Sequence, residues 1–130
     1  MDLKVWNEEL KLLRSIISKS DKLQETMDLC LKLHAMVHSS KMSNINTVTF
    51  EDELWEDLDE TTIRTAVNEK GRTIAYGLWH SARIEDITMN ILVEDGEQVI
   101  SSENWIEKMN PIIKDTGNQL NEHEILEFSK

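Results

Sequence analysis

The stretch TIAYGLWHSARIEDITMNILV, residues 73–93, decides the fold class because it predicts one long helix. Asp95-Gly96 follows it and is a typical helix end, since glycine readily adopts the left-handed conformation. Gly77 within the helix costs about 1 kcal/mol relative to alanine, so we expect it to let another helix, or a ligand, approach closely. The apolar side chains recur every three or four residues, as on one helix face, and are Ile74, Leu78, Ala82, Met89 and Leu92.

Two further helices are predicted before this one. The first spans about residues 3–17, and the second runs from about Lys22 to about Ser39. Asp21 with Gln24 three residues later is typical of a helix start, because both side chains can bond free amides of the first turn. In the second helix the apolar positions predict that His34 faces the core; they are Leu23, Met27, Cys30, His34 and Val37.

Short elements are predicted around these helices. Thr49 with Asp52 favours a short helix start, and seven of the ten residues 51–60 are acidic, which we interpret as a solvated face rather than a cation site. A helix over about residues 61–69 should end at Gly71. Pro111 should prevent a regular helix around it, and Asn121 with Glu124 predicts a last, short helix.

Length and composition favour an all-α fold. The chain has 130 residues with only four Gly and one Pro, which suits a single helical domain over residues 1–130 rather than a turn-rich β fold. Cys30 is the sole cysteine, so no intrachain disulfide is expected. We therefore expect a helical bundle with one core.

The charge balance excludes several partners. Twenty-five acidic against fourteen basic residues give a net charge of −11, which repels nucleic acid and anionic membrane surfaces. The N-terminal residues lack the basic and apolar regions of a signal peptide, and no apolar stretch is long enough to span a membrane. We expect a cytoplasmic protein with neither a nucleic-acid nor a membrane partner.

The histidines are the candidate metal ligands. His34 and His38 are four residues apart in a predicted helix, so two imidazoles could reach one metal ion, although the same spacing fits two structural histidines. His80 has no carboxylate on adjacent turns of its helix, so a ligand role requires residues from another helix. His123 is expected to be exposed. Arg83 and Asp86, three residues apart, predict a structural ion pair.

The segment GRTIAYGLWHSARIEDITMNIL, residues 71–92, resembles the DinB-like (DinB/YfiT-like) metalloenzyme family, with Leu78-Trp79-His80 at the centre of the likeness. Residues 33–38, 50–58 and 114–118 are similar to the first half of a longer branch of that family. The resemblance implies a four-helix-type bundle and a divalent metal held by three histidines, of which His80 matches the first. It further implies metal-dependent transfer of small thiols, or hydrolysis.

The chain departs from the family in one respect: no HxxxH pair follows His80. Either His34 and His38 replace that pair, or the histidines belong to a part of the protein outside this chain, or this chain binds no metal. Our working prediction is a Zn²⁺ or Ni²⁺ site of His80, His34 and His38, without an organic cofactor. The alternative is a non-catalytic, metal-free association protein.

The predicted helices also suggest an assembly. They resemble the N-terminal half of a longer bundle, and we expect the chain to be truncated at its C-terminus. Half a bundle leaves apolar helix faces uncovered, so we expect a homodimer in which helices of two copies complete a four-helix-like core, with the stripe from Ile74 to Leu92 at its centre.

Overall fold

The computed structural model describes residues 2–66 and 71–130, and within these ranges the chain is all-helical, without a strand. The α-helices are α1 (Leu3–Ile16), α2 (Leu23–Met36), α3 (Ser40–Ser43), α4 (Phe50–Trp55), α5 (Glu60–Arg64), α6 (Ile74–Asp86), α7 (Val99–Ser102), α8 (Trp105–Met109) and α9 (Glu122–Phe128). A 3-10 turn, Ser20–Lys22, precedes α2, and a π-helix, Ile87–Val93, continues α6. The all-α prediction is confirmed.

Contacts divide the chain into two compact units, Met1–Leu58 and Asp59–Lys130. The single-domain arrangement and the four-helix type stay predictions. Within the described residues, no helix is both long enough and apolar enough to cross a membrane.

The first unit is built on the pair α1 and α2. Lys32 bonds Glu9 across the two helices, and the rings of Trp6 and Phe50 are nearly perpendicular, with their centroids 5.3 Å apart. The predicted cap at Thr49 is confirmed: Thr49 Oγ1 accepts from the Asp52 amide at 3.1 Å, and the Asp52 carboxylate accepts from the Thr49 amide at 3.0 Å. The hydrogen bonds from Thr49 and then from Ser40 hold the pKa of Asp52 below its ordinary value.

The second unit is organised around α6. Its buried face carries Tyr76, Trp79 and Arg83, and the buried hydroxyls of Thr73 and Ser129 bond each other at 2.6 Å. Segment 110–120, which contains Pro111, is not helical, as predicted. The Asn121–Glu124 capping box that opens α9 is also confirmed.

Several boundaries and faces predicted from the pattern are wrong. The helix predicted over about residues 61–69 ends at Arg64; its last residues lie outside the described ranges, and Gly71, although left-handed at φ 67°, does not cap it. Helix α2 starts at Leu23 after an N-cap, Lys22, that makes no side-chain capping bond within the described chain, so the predicted Asp21 cap is wrong. The last turns of the predicted 73–93 helix are π-helical.

The predicted buried face of α2 is wrong as well. Thr26, Leu33 and Met36 are buried, whereas the predicted core positions Leu23, Met27, His34 and Val37 are exposed. The buried face differs from the predicted one because apolar side chains lie along two stripes of α2, and contact with α1 buries only one of these stripes.

Candidate metal-binding histidines

His34 and His38 stand side by side at the C-terminal end of α2. The helix ends at Met36, but the amides of Val37 and His38 still bond the carbonyls of His34 and Ala35, at 3.1 and 3.4 Å, so the chain continues the turn. This places the two Nε2 atoms 3.1 Å apart, with ring centroids separated by 4.4 Å. The HxxxH spacing therefore brings the two imidazoles together, although His38 lies just beyond the helix.

The distance of 3.1 Å between the Nε2 atoms is compatible with two arrangements. In a metal-free chain, one Nε2–H can donate to the lone pair of the other Nε2, with the two rings in opposite tautomers. Two imidazole nitrogens on one zinc ion, each about 2.0–2.1 Å from it, are about 3.3 Å apart in a tetrahedral site. The pair is thus already close to the spacing that a shared ion needs.

The two histidines differ in burial. His34 is exposed and His38 is half-buried. Two nitrogens are fewer than the three protein ligands of a usual catalytic zinc site, so further ligands must come from water or from other side chains.

His80 lies in α6, in the second unit, and is held firmly. Its Nδ1 is 2.8 Å from the Thr116 carbonyl, and its ring stacks on Tyr76 with centroids 5.7 Å apart. Because a carbonyl oxygen can only accept, Nδ1 carries the proton and Nε2 of the neutral ring has the lone pair. A backbone carbonyl on one ring nitrogen is also how many metal-binding histidines are oriented.

His80 belongs to a row of donors on one face of α6. Tyr76, Trp79, His80 and Arg83 donate to the carbonyls of Gly117, Asp115, Thr116 and Lys114, at 3.1, 2.8, 2.8 and 3.3 Å. Four consecutive carbonyls of a non-helical segment thus bond one helix face. The sequence analysis missed this row. The signal was present, because positions 76, 79, 80 and 83 follow helical spacing and each carries a polar donor.

The predicted pair of Arg83 and Asp86 is confirmed and is part of a larger network. The Asp86 carboxylate accepts from Arg83 Nη1 at 2.9 Å, from Asn90 Nδ2 at 2.8 Å and from the amides of Val99 and Ile100 at 2.7 and 3.1 Å. Burial alone raises the pKa of Asp86, but these hydrogen bonds and the Arg83 charge outweigh it and hold the pKa below its ordinary value. The last two bonds cap α7, so Asp86 has a structural role.

The predicted ligands belong to both units of the chain. His34 and His38 meet in the first unit, His80 is fixed in the second, and the three-histidine site stays a prediction. His123 is exposed in the first turn of α9, as expected.

The fold and these histidines define an all-helical chain with a candidate two-imidazole metal site. Comparison of the chain with models of protein families, with curated proteins and with solved structures found no match.

Proposed function

We propose that this chain binds a divalent transition-metal ion through Nε2 of His34 and Nε2 of His38. The observation that carries the proposal is the 3.1 Å separation of these two atoms at the C-terminal end of α2. Imidazole nitrogen is a favoured ligand for zinc, nickel and copper and a poor one for magnesium or calcium. Zn²⁺ and Ni²⁺ are the ions we propose.

A metal held by few protein ligands keeps open positions, and this is the chemical basis for the activity that we propose. An ion in such a site supplies Lewis acidity to a bound water or thiolate. The DinB-like ancestry proposed from residues 71–92 fits this chemistry, since it implies thiol transfer or hydrolysis. Catalysis and ancestry both rest on the resemblance, whereas metal binding rests on the geometry of the histidine pair.

The test is metal titration of protein purified without an affinity tag, followed by calorimetry with Zn²⁺ and Ni²⁺. The variants His34→Ala and His38→Ala remove one ligand each, and His123→Ala is the matched control, an exposed histidine of the second unit. Removing a ligand should weaken binding by more than the roughly 10- to 100-fold that loss of a second-shell partner costs. Equal affinities of the His34, His38 and His123 variants would refute the site.

Two more variants determine whether α6 contributes ligands. His80→Ala tests the histidine that the resemblance assigns, and Glu85→Gln tests a carboxylate of the same helix, since mixed histidine and carboxylate sets also hold zinc. A loss of affinity in either variant, with unchanged circular dichroism, adds that residue to the site. Unchanged affinity in both leaves His34 and His38 as the only protein ligands among the four residues tested.

The alternative function is non-catalytic association without a metal, with which the carbonyl bond of His80 is equally compatible. Thermal unfolding separates the two functions. A ligand present at one hundred times its dissociation constant stabilises the folded state by about 2.7 kcal/mol if it binds only that state. A midpoint unchanged by Zn²⁺ and Ni²⁺ would favour association.

A further inference from the structure

Residues 110–120, which we call the strap, cross the row of donors on α6. Asn110 is left-handed at φ 45° and Pro111 follows it, so α8 ends where the strap begins. The Asn121 cap of α9 comes directly after the strap. Between these two points the strap is neither helix nor strand. Four side-chain hydrogen bonds from α6 to the carbonyls of residues 114–117 attach it to the helix.

The amides of the strap do not add to this attachment. Gly117 donates to Asp115 Oδ1 at 2.8 Å and Leu120 donates to the Gly117 carbonyl at 3.1 Å, and both bonds stay inside the strap. Its remaining amides after Pro111 donate to no acceptor within residues 2–66 and 71–130. Hydrogen bonds between α6 and the strap therefore run in one direction, from side chains of the helix to carbonyls of the strap.

The strap buries little apolar surface. Gly117 is the only residue of the strap that is buried, Ile112 is 67% exposed, and residues 114, 115, 118 and 119 are exposed as well. Burial of apolar side chains is the main term that offsets the entropy lost when a chain is ordered. Because the strap has few such side chains, it offsets less of this entropy per residue than α6 does.

The buried aromatic side chains of α6 have partners that do not belong to the strap. The Trp79 ring lies 5.5 Å from the ring of Phe128 in α9. The Tyr76 ring stacks on His80, and the Arg72 guanidinium lies 4.9 Å from the centroid of the Tyr76 ring. These contacts do not depend on the strap, so its departure need not unfold α6.

We infer that the strap opens and closes as one piece over a folded α6 and acts as a lid on the row of donors. Segments with few buried apolar contacts open locally, at a lower free energy than unfolding of the whole domain. The four bonds break together because their carbonyls are consecutive in the chain. Opening releases His80 Nδ1–H from the Thr116 carbonyl and lets acceptors from outside the chain reach the row. The inference is independent of the proposed metal site.

Exchange of the Trp79 indole proton with solvent, followed by NMR on the full chain, measures strap opening. Trp79 Nε1–H donates to the Asp115 carbonyl at 2.8 Å, so it is protected while the strap is closed. Main-chain amides inside α6, such as that of Ala82, exchange when the helix itself unfolds. The opening constant measured at Trp79 should be at least about tenfold larger than that at Ala82, and it should depend less on urea, since local opening exposes less surface.

Gly117→Ala and Gly77→Ala separate strap opening from unfolding of α6. Gly117 has φ 74° and an added Cβ would lie 3.0 Å from Tyr76, so alanine should weaken the closed strap and speed Trp79 exchange about 5- to 30-fold. At Gly77 an added Cβ would meet no described residue within 4 Å beyond the helix's own backbone. Gly77→Ala should therefore slow the α6 amides about fivefold by stabilising the helix, and leave Trp79 exchange unchanged.

The Trp55 indole is the control in the same spectra. Its Nε1–H bonds Glu51 Oε1 within the first unit, so its exchange should respond to neither substitution. Equal opening constants and equal urea dependence at Trp79 and Ala82 would overturn the inference. Equal slowing of these two protons by Gly77→Ala would overturn it as well, because Trp79 would then exchange through unfolding of α6.

Discussion

Replacing Asp86 by alanine should destabilise the second unit more than any surface substitution. Asp86 and its partner Arg83 keep only 12% and 8% of their side-chain surface exposed. The substitution removes the acceptor for Arg83, for Asn90 and for two amides at the start of α7. It leaves the buried guanidinium without its counter-charge, and water cannot easily reach the groups that lose their hydrogen-bond partner.

The free energy of unfolding should fall by about 3–5 kcal/mol, which is the cost of removing one partner from a buried ion pair. That figure is a large share of the roughly 5–15 kcal/mol that stabilises a typical domain. Asp86→Asn should lose less, because its one amide oxygen can still accept from one of the two α7 amides, which in the wild type bond different carboxylate oxygens. Glu103→Ala, an exposed change in the same unit, should stay within about 0.5 kcal/mol of wild type.

The pH dependence follows from the lowered pKa of Asp86. Because the folded pKa lies below the unfolded one, ionised Asp86 stabilises the fold fully above the unfolded pKa, about 3.9. This stabilisation is lost as pH falls through the folded pKa. The difference between wild type and Asp86→Ala should therefore be largest near neutral pH and shrink below about pH 4.

The assay is urea unfolding followed by tryptophan fluorescence from neutral to acidic pH. Trp79 reports on this unit, because its indole donates to the Asp115 carbonyl and its ring lies 5.5 Å from Phe128. A decrease in the free energy of unfolding of less than about 1 kcal/mol at neutral pH would refute the reasoning, since it would be no larger than the net contribution of one ordinary hydrogen bond. A difference that does not change with pH would refute the electrostatic part.

Three other predictions concern glycine positions, a helix cap and a histidine tautomer. Gly117→Ala should destabilise the chain by at least about 1–2 kcal/mol, because φ is 74° and the new Cβ would lie 3.0 Å from Tyr76. Gly77→Ala should instead stabilise the chain by about 1 kcal/mol, and urea unfolding of both variants measures the two changes. Thr49→Val should lower the free energy of unfolding by about 1 kcal/mol, because it removes the side-chain cap of α4, whereas Thr49→Ser should retain most of the stability. Thermal unfolding of both variants measures the difference. Neutral His80 should carry its proton on Nδ1, and long-range nitrogen–proton correlation spectra that place it on Nε2 would contradict the Thr116 bond.

The capping signals show what local sequence determines. Thr49 with Asp52 and Asn121 with Glu124 form capping boxes as predicted, because each needs only a side chain and an amide three residues away. Pro111 likewise prevents a helix through its own ring. The sparse glycine and proline content and the helical periodicity predict the all-α class for the same local reason.

The candidate site could be predicted only in part. The contact of His34 with His38 follows from the helical spacing and is present in the structure. The Thr116 carbonyl that fixes His80 lies 36 residues away along the chain, and no local pattern indicates such a contact. The resemblance to the DinB-like family stays a prediction, as does the ligand role of His80.

The sequence by itself determined where most helices begin, that the chain is helical, and which two histidines are neighbours. Only the tertiary structure decided which faces are buried. On α6 the pattern predicts a core stripe through Leu78 and Met89, yet the helix buries Tyr76, Trp79 and Arg83, whose polar tips bond the 114–117 carbonyls. The reason is that a buried carbonyl left without a donor costs more than an exposed leucine, and only the folded chain determines where those carbonyls lie.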